Sequence, residues 1–171
     1  RNTVLSLASG RSMRDLFAEL VRLHKEEGLS FKNVIVFGSY EFYPLSDASL
    51  GSMAQIQNQL LDHVDIKTEN VYTFPLDLPR ETVFSFCEEY EKTIAQVGGI
   101  DIQVLGIGQC GNIAMNEPGT QSNSYTRLVI MDNNSRMDVK SLFGNAEQVP
   151  NCAITLGINT ILQAKEVILM A

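Results

Sequence analysis

Residues 102–118 read Ile-Gln-Val-Leu-Gly-Ile-Gly-Gln-Cys-Gly-Asn-Ile-Ala-Met-Asn-Glu-Pro, and their pattern decides the class of fold. An apolar strand, Ile102 to Leu105, runs directly into a loop with glycines at 106, 108 and 111. Glycines there let a ligand or a second backbone approach the main chain closely. Asn112, Asn116 and Glu117 are polar positions in an otherwise apolar run. A buried carboxylate needs partners, so Glu117 is expected either to be paired or to face a cleft.

The same grammar of strand, loop and helix extends outward in both directions. Upstream, Thr3 to Leu7 reads as a strand, followed by the loop Ala8-Ser9-Gly10-Arg11. Met13, Leu16, Phe17, Leu20 and Leu23 then recur at helical spacing, with Ser12 as the expected cap, Asp15 as its capping-box acid and Gly28 as the stop. Asn33 to Phe37 is a second strand, 50–61 a second helix and Val71 to Phe74 a third strand. A helix over 83–97 ends at Gly98-Gly99. Downstream, Leu128 to Met131, Ala153 to Leu156 and Val167 to Met170 read as strands. Ser135 is the expected cap of a short helix with Asp138 as its first-turn acid, and Ile158 to Ala164 is another helix.

Strands that are continuous apolar runs, alternating with helices, point to an α/β fold with a parallel sheet covered on both faces. In such folds ligands lie beyond the carboxyl ends of the strands. That singles out the loops 8–12, 38–45 and 106–118. In the first, Ser9, Gly10, Arg11 and Ser12 open a helix, where free N–H groups and the helix dipole favour an anion. The bland alternative is a capped turn with a surface arginine. The second, 38–45, is aromatic, with Glu41 its only acid; it either lines a sugar site or is a packed connection with Glu41 in solvent. Cys110 would need a lowered pKa to act as a nucleophile, and no histidine lies near it, so a small filler is the simpler reading. His24 and His63 fall on expected helices as surface or packing residues.

Composition narrows the function classes. The chain has 171 residues, 44% of them hydrophobic and 19% charged, as one globular domain would. The reading is a single α/β domain over residues 1–171, forming part of a longer protein. A net charge of −7 argues against nucleic acid and against an anionic membrane surface as partners. Three separated cysteines give neither a disulfide framework nor a zinc site. No apolar run reaches the ~20 residues of a membrane helix. The expectation is a cytoplasmic protein with reduced thiols, no metal and no cofactor.

At these loops the sequence resembles the glucosamine-6-phosphate deaminase and 6-phosphogluconolactonase family, over nearly the whole chain. The segments that carry the resemblance are Gly28 to Val34, Asp62 to Ile66 with Glu69-Asn70, Gly108, Gly111, Ile113-Ala114, Asn116-Glu117-Pro118, Gln148-Val149-Pro150 and Ala153 to Gly157. The resemblance implies a modified Rossmann-like, mostly parallel sheet. It implies a phosphorylated amino sugar as ligand, a homo-oligomer, and acid–base conversion of glucosamine 6-phosphate to fructose 6-phosphate and ammonia without cofactor or metal. It also implies phosphate and sugar contacts from Ser9, Gly10, Arg11, Ser12, Glu41 and Gly108.

The catalytic set matches only at Glu117. Tyr40 stands where the family has the aspartate that moves the proton. Cys110 stands for an acid and Asn112 for the ring-opening histidine. The family's phosphate arginine falls near Ser141, with Arg136 and Lys140 close but out of register. A phenol with pKa ~10 is a poor base at neutral pH, and an amide is none. The expectation is a phosphosugar-binding domain with weak or absent deamination. Its rivals are an active enzyme using Glu41 or Glu117 as base, and a non-catalytic oligomerisation or regulatory module.

Overall fold

The apolar run Thr3–Leu7 forms β1, the middle strand of a parallel sheet, and the other elements are arranged around it. The computed structural model describes residues 2–145 and 147–171. In chain order the remaining elements are α1 (Arg14–Glu27), β2 (Val34–Gly38), β3 (Tyr40–Tyr43), α2 (Ser52–Gln59), β4 (Val71–Tyr72) and α3 (Arg80–Gln96). They continue with β5 (Ile102–Gly106), β6 (Arg127–Ile130), α4 (Asn133–Phe143), β7 (Cys152–Thr155), α5 (Ile158–Leu162) and β8 (Glu166–Met170).

Five strands make the parallel sheet in the order β4-β2-β1-β5-β8. Because both of its faces are covered, its inner strands are mostly apolar on both sides, with buried Ser6 of β1 and Gln103 of β5 both hydrogen-bonded to the Ser39 hydroxyl. On one face Val4, Phe37 and Leu105 pack against Val83, Cys87, Tyr90 and Ile94 of α3 and Ile161 of α5. On the other, Leu7, Val36 and Val104 meet Phe17 of α1 and Ile56 of α2. Each such side chain contributes roughly 1.5–3 kcal/mol by leaving water. The α3 spacing of three and four residues is what turns one stripe of that helix onto the sheet. Gly28 ends α1 with φ 77°, a left-handed position that a side chain would strain. No helix among the described residues is long and apolar enough to cross a membrane.

The expected parallel sheet is therefore present, with corrections. β6 and β7 do not join it. They form a separate antiparallel sheet, β3-β7-β6, with a core of its own built on Phe42, Met115, Met131, Phe143 and Ala153. Its first strand, β3, lies inside the stretch 38–45 that the sequence presents as a loop. Tyr-Glu-Phe-Tyr suits a strand, but its partner β7 lies over a hundred residues away, out of reach of any local pattern. Ser12 does not cap α1: Arg11–Met13 is a single 3-10 turn, and α1 begins after it with no side-chain cap. Ser135 does not cap α4 either. Asp132 does, accepting from the Ser135 N–H at 2.7 Å, which leaves Asp138 beyond the first turn.

Candidate active site

At the carboxyl end of β1 the chain leaves the sheet through Ala8, whose N–H still bonds Val104 O. It turns at Gly10 (φ 133°, open to glycine) and closes the turn with Met13 N–H to Gly10 O at 3.1 Å. Met13, fully buried, anchors this turn in the core. Arg11 and Ser12 remain exposed. The carboxyl end of β5 lies alongside. A side chain at Gly106 would reach within 2.7 Å of the Ser12 hydroxyl, so the close approach of the two loops depends on that glycine.

The glycine loop then folds back on itself. Gly108 N–H bonds Asn112 O at 2.9 Å, Gly111 N–H bonds Gly108 O, and Gly111 takes φ 82°. A Cβ at Gly108 would collide with the Asn112 side chain. Ala114 holds φ 51°, a strained value for a residue with a Cβ. The surroundings hold it there. Met115 N–H bonds the Thr155 hydroxyl, and Asn116 Nδ2 donates to Leu156 O at 2.8 Å and to Ile113 O. Arg127 of β6 donates to Asn116 Oδ1 at 2.9 Å.

These loops enclose a cleft of about 290 Å³. Ser9, Gly10, Arg11 and Ser12 form one side, and Gly108, Gln109 and Asn112 another. Tyr40 lines it too, its hydroxyl 2.9 Å from that of Ser9. A third wall comes from α4 through Ser135, Asp138 and Val139. Burial pushes the Tyr40 phenol above its ordinary range, against a smaller opposing effect of the Ser9 hydrogen bond, so it holds its proton more tightly than a free tyrosine.

The other candidates lie off this lining. Cys110 is half-buried, and burial, then the charges of Asp138, Asp132 and Glu117, push its thiol up. Glu117 accepts weakly from Asp132 N–H at 3.4 Å through Oε1, while its Oε2 is buried without a hydrogen-bond partner among the described residues. Glu41 is 1% exposed and accepts from the N–H groups of Phe42, Ser52 and Met53 at 2.9, 2.7 and 2.9 Å. It thereby terminates the start of α2 from β3, and neither alternative expected for it, sugar contact or solvation, describes this place. Burial raises its carboxyl pKa while the three donors pull it back. His24 and His63 bond the carbonyls of Leu29 and Asn58 at helix ends. Among the described residues no group of three or more His, Cys, Asp or Glu is placed to hold a metal.

The spatial set of Ser9 to Ser12, Tyr40, Gly108 and Asn112 is the part of the expected site that the fold brings together. The whole chain, residues 1–171, matches the family of glucosamine-6-phosphate isomerases and 6-phosphogluconolactonase. The chain belongs to this family. A glucosamine-6-phosphate deaminase-like protein of Bacteroides thetaiotaomicron is 49% identical over 172 residues, covering 100% of this chain and 26% of that protein. The chain thus spans about a quarter of that relative's length. Glucosamine-6-phosphate deaminase of Bacillus pumilus is 38% identical over 175 residues, 99% of this chain and 70% of the relative. In structure, a monomeric glucosamine-6-phosphate deaminase superposes with a TM-score of 0.92 at 32% identity, over 98% of this chain and 69% of that one. The 6-phosphogluconolactonase of Thermotoga maritima, at 20% identity and a TM-score of 0.68 over 98% of this chain and 69% of its own, shares the fold.

The family likeness in sequence has a visible structural basis in two distant segments. Asp65 accepts from Phe31 N–H at 2.6 Å and from the Ser30 hydroxyl at 2.8 Å, tying 62–66 to 28–34. Sequence reasoning missed the α4 wall. The spacing of Ser135 and Asp138, three apart, puts both on one helix face, but only the fold shows that this face borders the cleft.

Proposed function

We propose that the cleft takes a phosphorylated sugar and that this chain is the sugar-phosphate-binding part of a glucosamine-6-phosphate deaminase-like protein in amino-sugar metabolism. The shared cleft carries the reading. The anion-favouring turn Ser9–Ser12 and the glycine loop around Gly108 open onto one space of about 290 Å³, a size suited to a single sugar phosphate. Gly106 and Gly108 keep backbone rather than side chains at the places where the loops meet, and Gly10 supplies the positive φ of the first turn.

The proposal extends to chemistry: deamination here is weak or absent. Proton transfer between adjacent sugar carbons needs a base that is free at neutral pH. Tyr40 holds a proton that burial makes harder to remove, and Asn112 is an amide whose Nδ2 is engaged with Ala114 O at 3.2 Å. A positioned acid or base contributes about 10²–10⁴-fold, so losing two removes most of a rate, though coupled losses do not add.

One observation favours a second reading, an active enzyme with a remodelled site. Glu117, the member of the family's catalytic set that the sequence keeps, has a buried carboxylate oxygen with no hydrogen-bond partner among the described residues, although it does not line the cleft. Ammonia release from glucosamine 6-phosphate separates the two. The natural sequence is expected to release little, and the Tyr40→Asp, Cys110→Asp, Asn112→His triple variant to regain turnover. Rapid release by the natural sequence, lost in E117Q, overturns the first reading and establishes the second.

A further inference from the structure

The small antiparallel sheet meets the cleft with one row of side chains. Tyr40 of β3 pairs with Thr155 of β7, and Thr155 pairs in turn with Arg127, the first residue of β6. Residues directly opposite across antiparallel strands share a face, so these three side chains stand in line. Tyr40 lines the cleft, whereas Thr155 and Arg127 do not. They hold the glycine loop instead. Thr155, fully buried, accepts from Met115 N–H at 3.2 Å, and Arg127 Nη1 donates to Asn116 Oδ1 at 2.9 Å. Asn116 is 3% exposed, and its Nδ2 donates to Ile113 O at 3.0 Å and Leu156 O at 2.8 Å. Turned over, this amide would set its oxygen against two carbonyl oxygens and its NH2 against a cation. Arg127 therefore fixes which way round it stands. Among the described residues no carboxylate pairs with Arg127, and its other contact is Tyr125 O at 3.4 Å.

We infer that Arg127 is a positioning residue for the cleft, acting through Asn116 on the turn 113–116. That turn is closed by reciprocal N–H bonds between Ile113 and Asn116. It carries Ala114 at φ 51°, and Ala114 O takes the Asn112 amide at 3.2 Å. Asn112, Ala114 and Met115 all line the cleft, so the orientation of one buried amide outside the lining sets the shape of that wall. Without the guanidinium, Asn116 loses the donor that orients it and its hold on Ile113 O weakens. Ala114 is then released from a left-handed conformation that only its surroundings maintain. The effect on ligand binding rests on the sugar-phosphate reading above; the effect on the loop does not.

Amide hydrogen exchange and calorimetric titration with glucosamine 6-phosphate test this on two variants. R127M keeps the length without a donor, and R127K keeps a cationic donor for a contact that is single rather than bidentate. Loss of a hydrogen bond to a charged group corresponds to about tenfold or more in an equilibrium. In R127M the amides of Gly108, Ile113 and Asn116 are expected to exchange about tenfold faster, while those of β1 and β2 keep their wild-type protection. Glucosamine 6-phosphate is expected to bind R127M about tenfold more weakly, and R127K to restore both readouts to within about threefold. In an N116A background R127M is expected to change affinity less than about twofold, because the residue it acts through is gone. Unchanged exchange at the three loop amides overturns the positioning role, as does no rescue by R127K. Faster exchange spread equally over β1 and β2 overturns it too, since Arg127 would then stabilise the fold as a whole. Wild-type affinity in R127M, or additive effects of R127M and N116A, overturns the role in binding. Failure of the wild-type protein to bind glucosamine 6-phosphate overturns the sugar-phosphate reading; faster loop exchange in R127M, rescued in R127K, then still upholds the positioning of the loop.

Discussion

Glu41 and Glu117 are two glutamates near the same end of the sheet, and their surroundings give them opposite roles. Glu41 sits under the small antiparallel sheet with three backbone N–H groups on its carboxylate. It completes the first turn of α2, whose free amides and dipole favour a negative charge. Three backbone donors hold its carboxylate, and it does not line the cleft. Glu117 follows the glycine loop with one weakly held oxygen and one buried oxygen without a partner among the described residues. The difference lies in who supplies donors: a helix start serves Glu41, whereas Glu117 meets one distant N–H. Identical side chains are thus divided by their neighbours into one held by three donors and one with a buried oxygen left unpartnered among the described residues.

The largest expected effect breaks the satisfied member of the pair. Glu41→Ala strands three buried donors and is expected to cost about 3 kcal/mol or more, read as a drop in the urea midpoint at constant slope. A loss below about 1 kcal/mol would show that Glu41 is no better satisfied than an ordinary surface group. The matching change at the other site, Glu117→Gln, keeps the shape and is expected to alter stability by less than about 1 kcal/mol. Any ammonia release the protein supports should fall by about 10²-fold in that variant.

Gly108→Ala sharpens the contrast from the loop side. The new methyl collides with Asn112, and overpacking of this kind costs about 1–3 kcal/mol, with loss of sugar-phosphate binding in the same titration. Tyr40→Phe removes the hydroxyl that meets Ser9 and is expected to cost about 1 kcal/mol. The smallest effect concerns pH. The Phe31 N–H, with help from the Ser30 hydroxyl, holds the Asp65 carboxyl below its ordinary range. Its contribution is full above the unfolded pKa of about 4 and is lost as pH falls through the lower folded value. Melting curves of wild type and Asp65→Asn should differ at neutral pH and converge on acidification; parallel curves would remove Asp65 from the pH dependence.

Much of the architecture was readable along the chain because its causes are local. Continuous apolar runs such as Val34 to Phe37 need two covering layers. The 3.6-residue recurrence of Val83, Cys87, Tyr90 and Ile94 needs one. Gly28 marks the stop of α1 through backbone freedom. The glycine spacing at 106, 108 and 111 announced a close approach, and the structure puts Ser12 and Asn112 at that distance. Reading failed where the cause was a residue far away. Tyr40 to Tyr43 becomes a strand through Cys152 to Thr155, and Glu41 becomes internal through the start of a helix that follows it by about ten residues. Asp132 outcompetes Ser135 at the α4 cap because its carboxylate reaches the N3 amide, and the displaced Ser135 is then free to face the cleft.

Periodicity, glycine placement and the kinds of residue at 40, 110, 112 and 117 belong to the linear chain, since backbone sterics and one-sided burial act over a few residues. Those features alone specify an α/β sheet and the loops at its carboxyl edge. Which carboxylate is held by donors and which is left with an unpartnered oxygen, which helix face borders the cleft, and that Arg11 and Asp138 line one space depend on segments distant in sequence meeting in three dimensions. Hydrogen bonds and charges act over a few ångströms, and only the packed structure sets those distances.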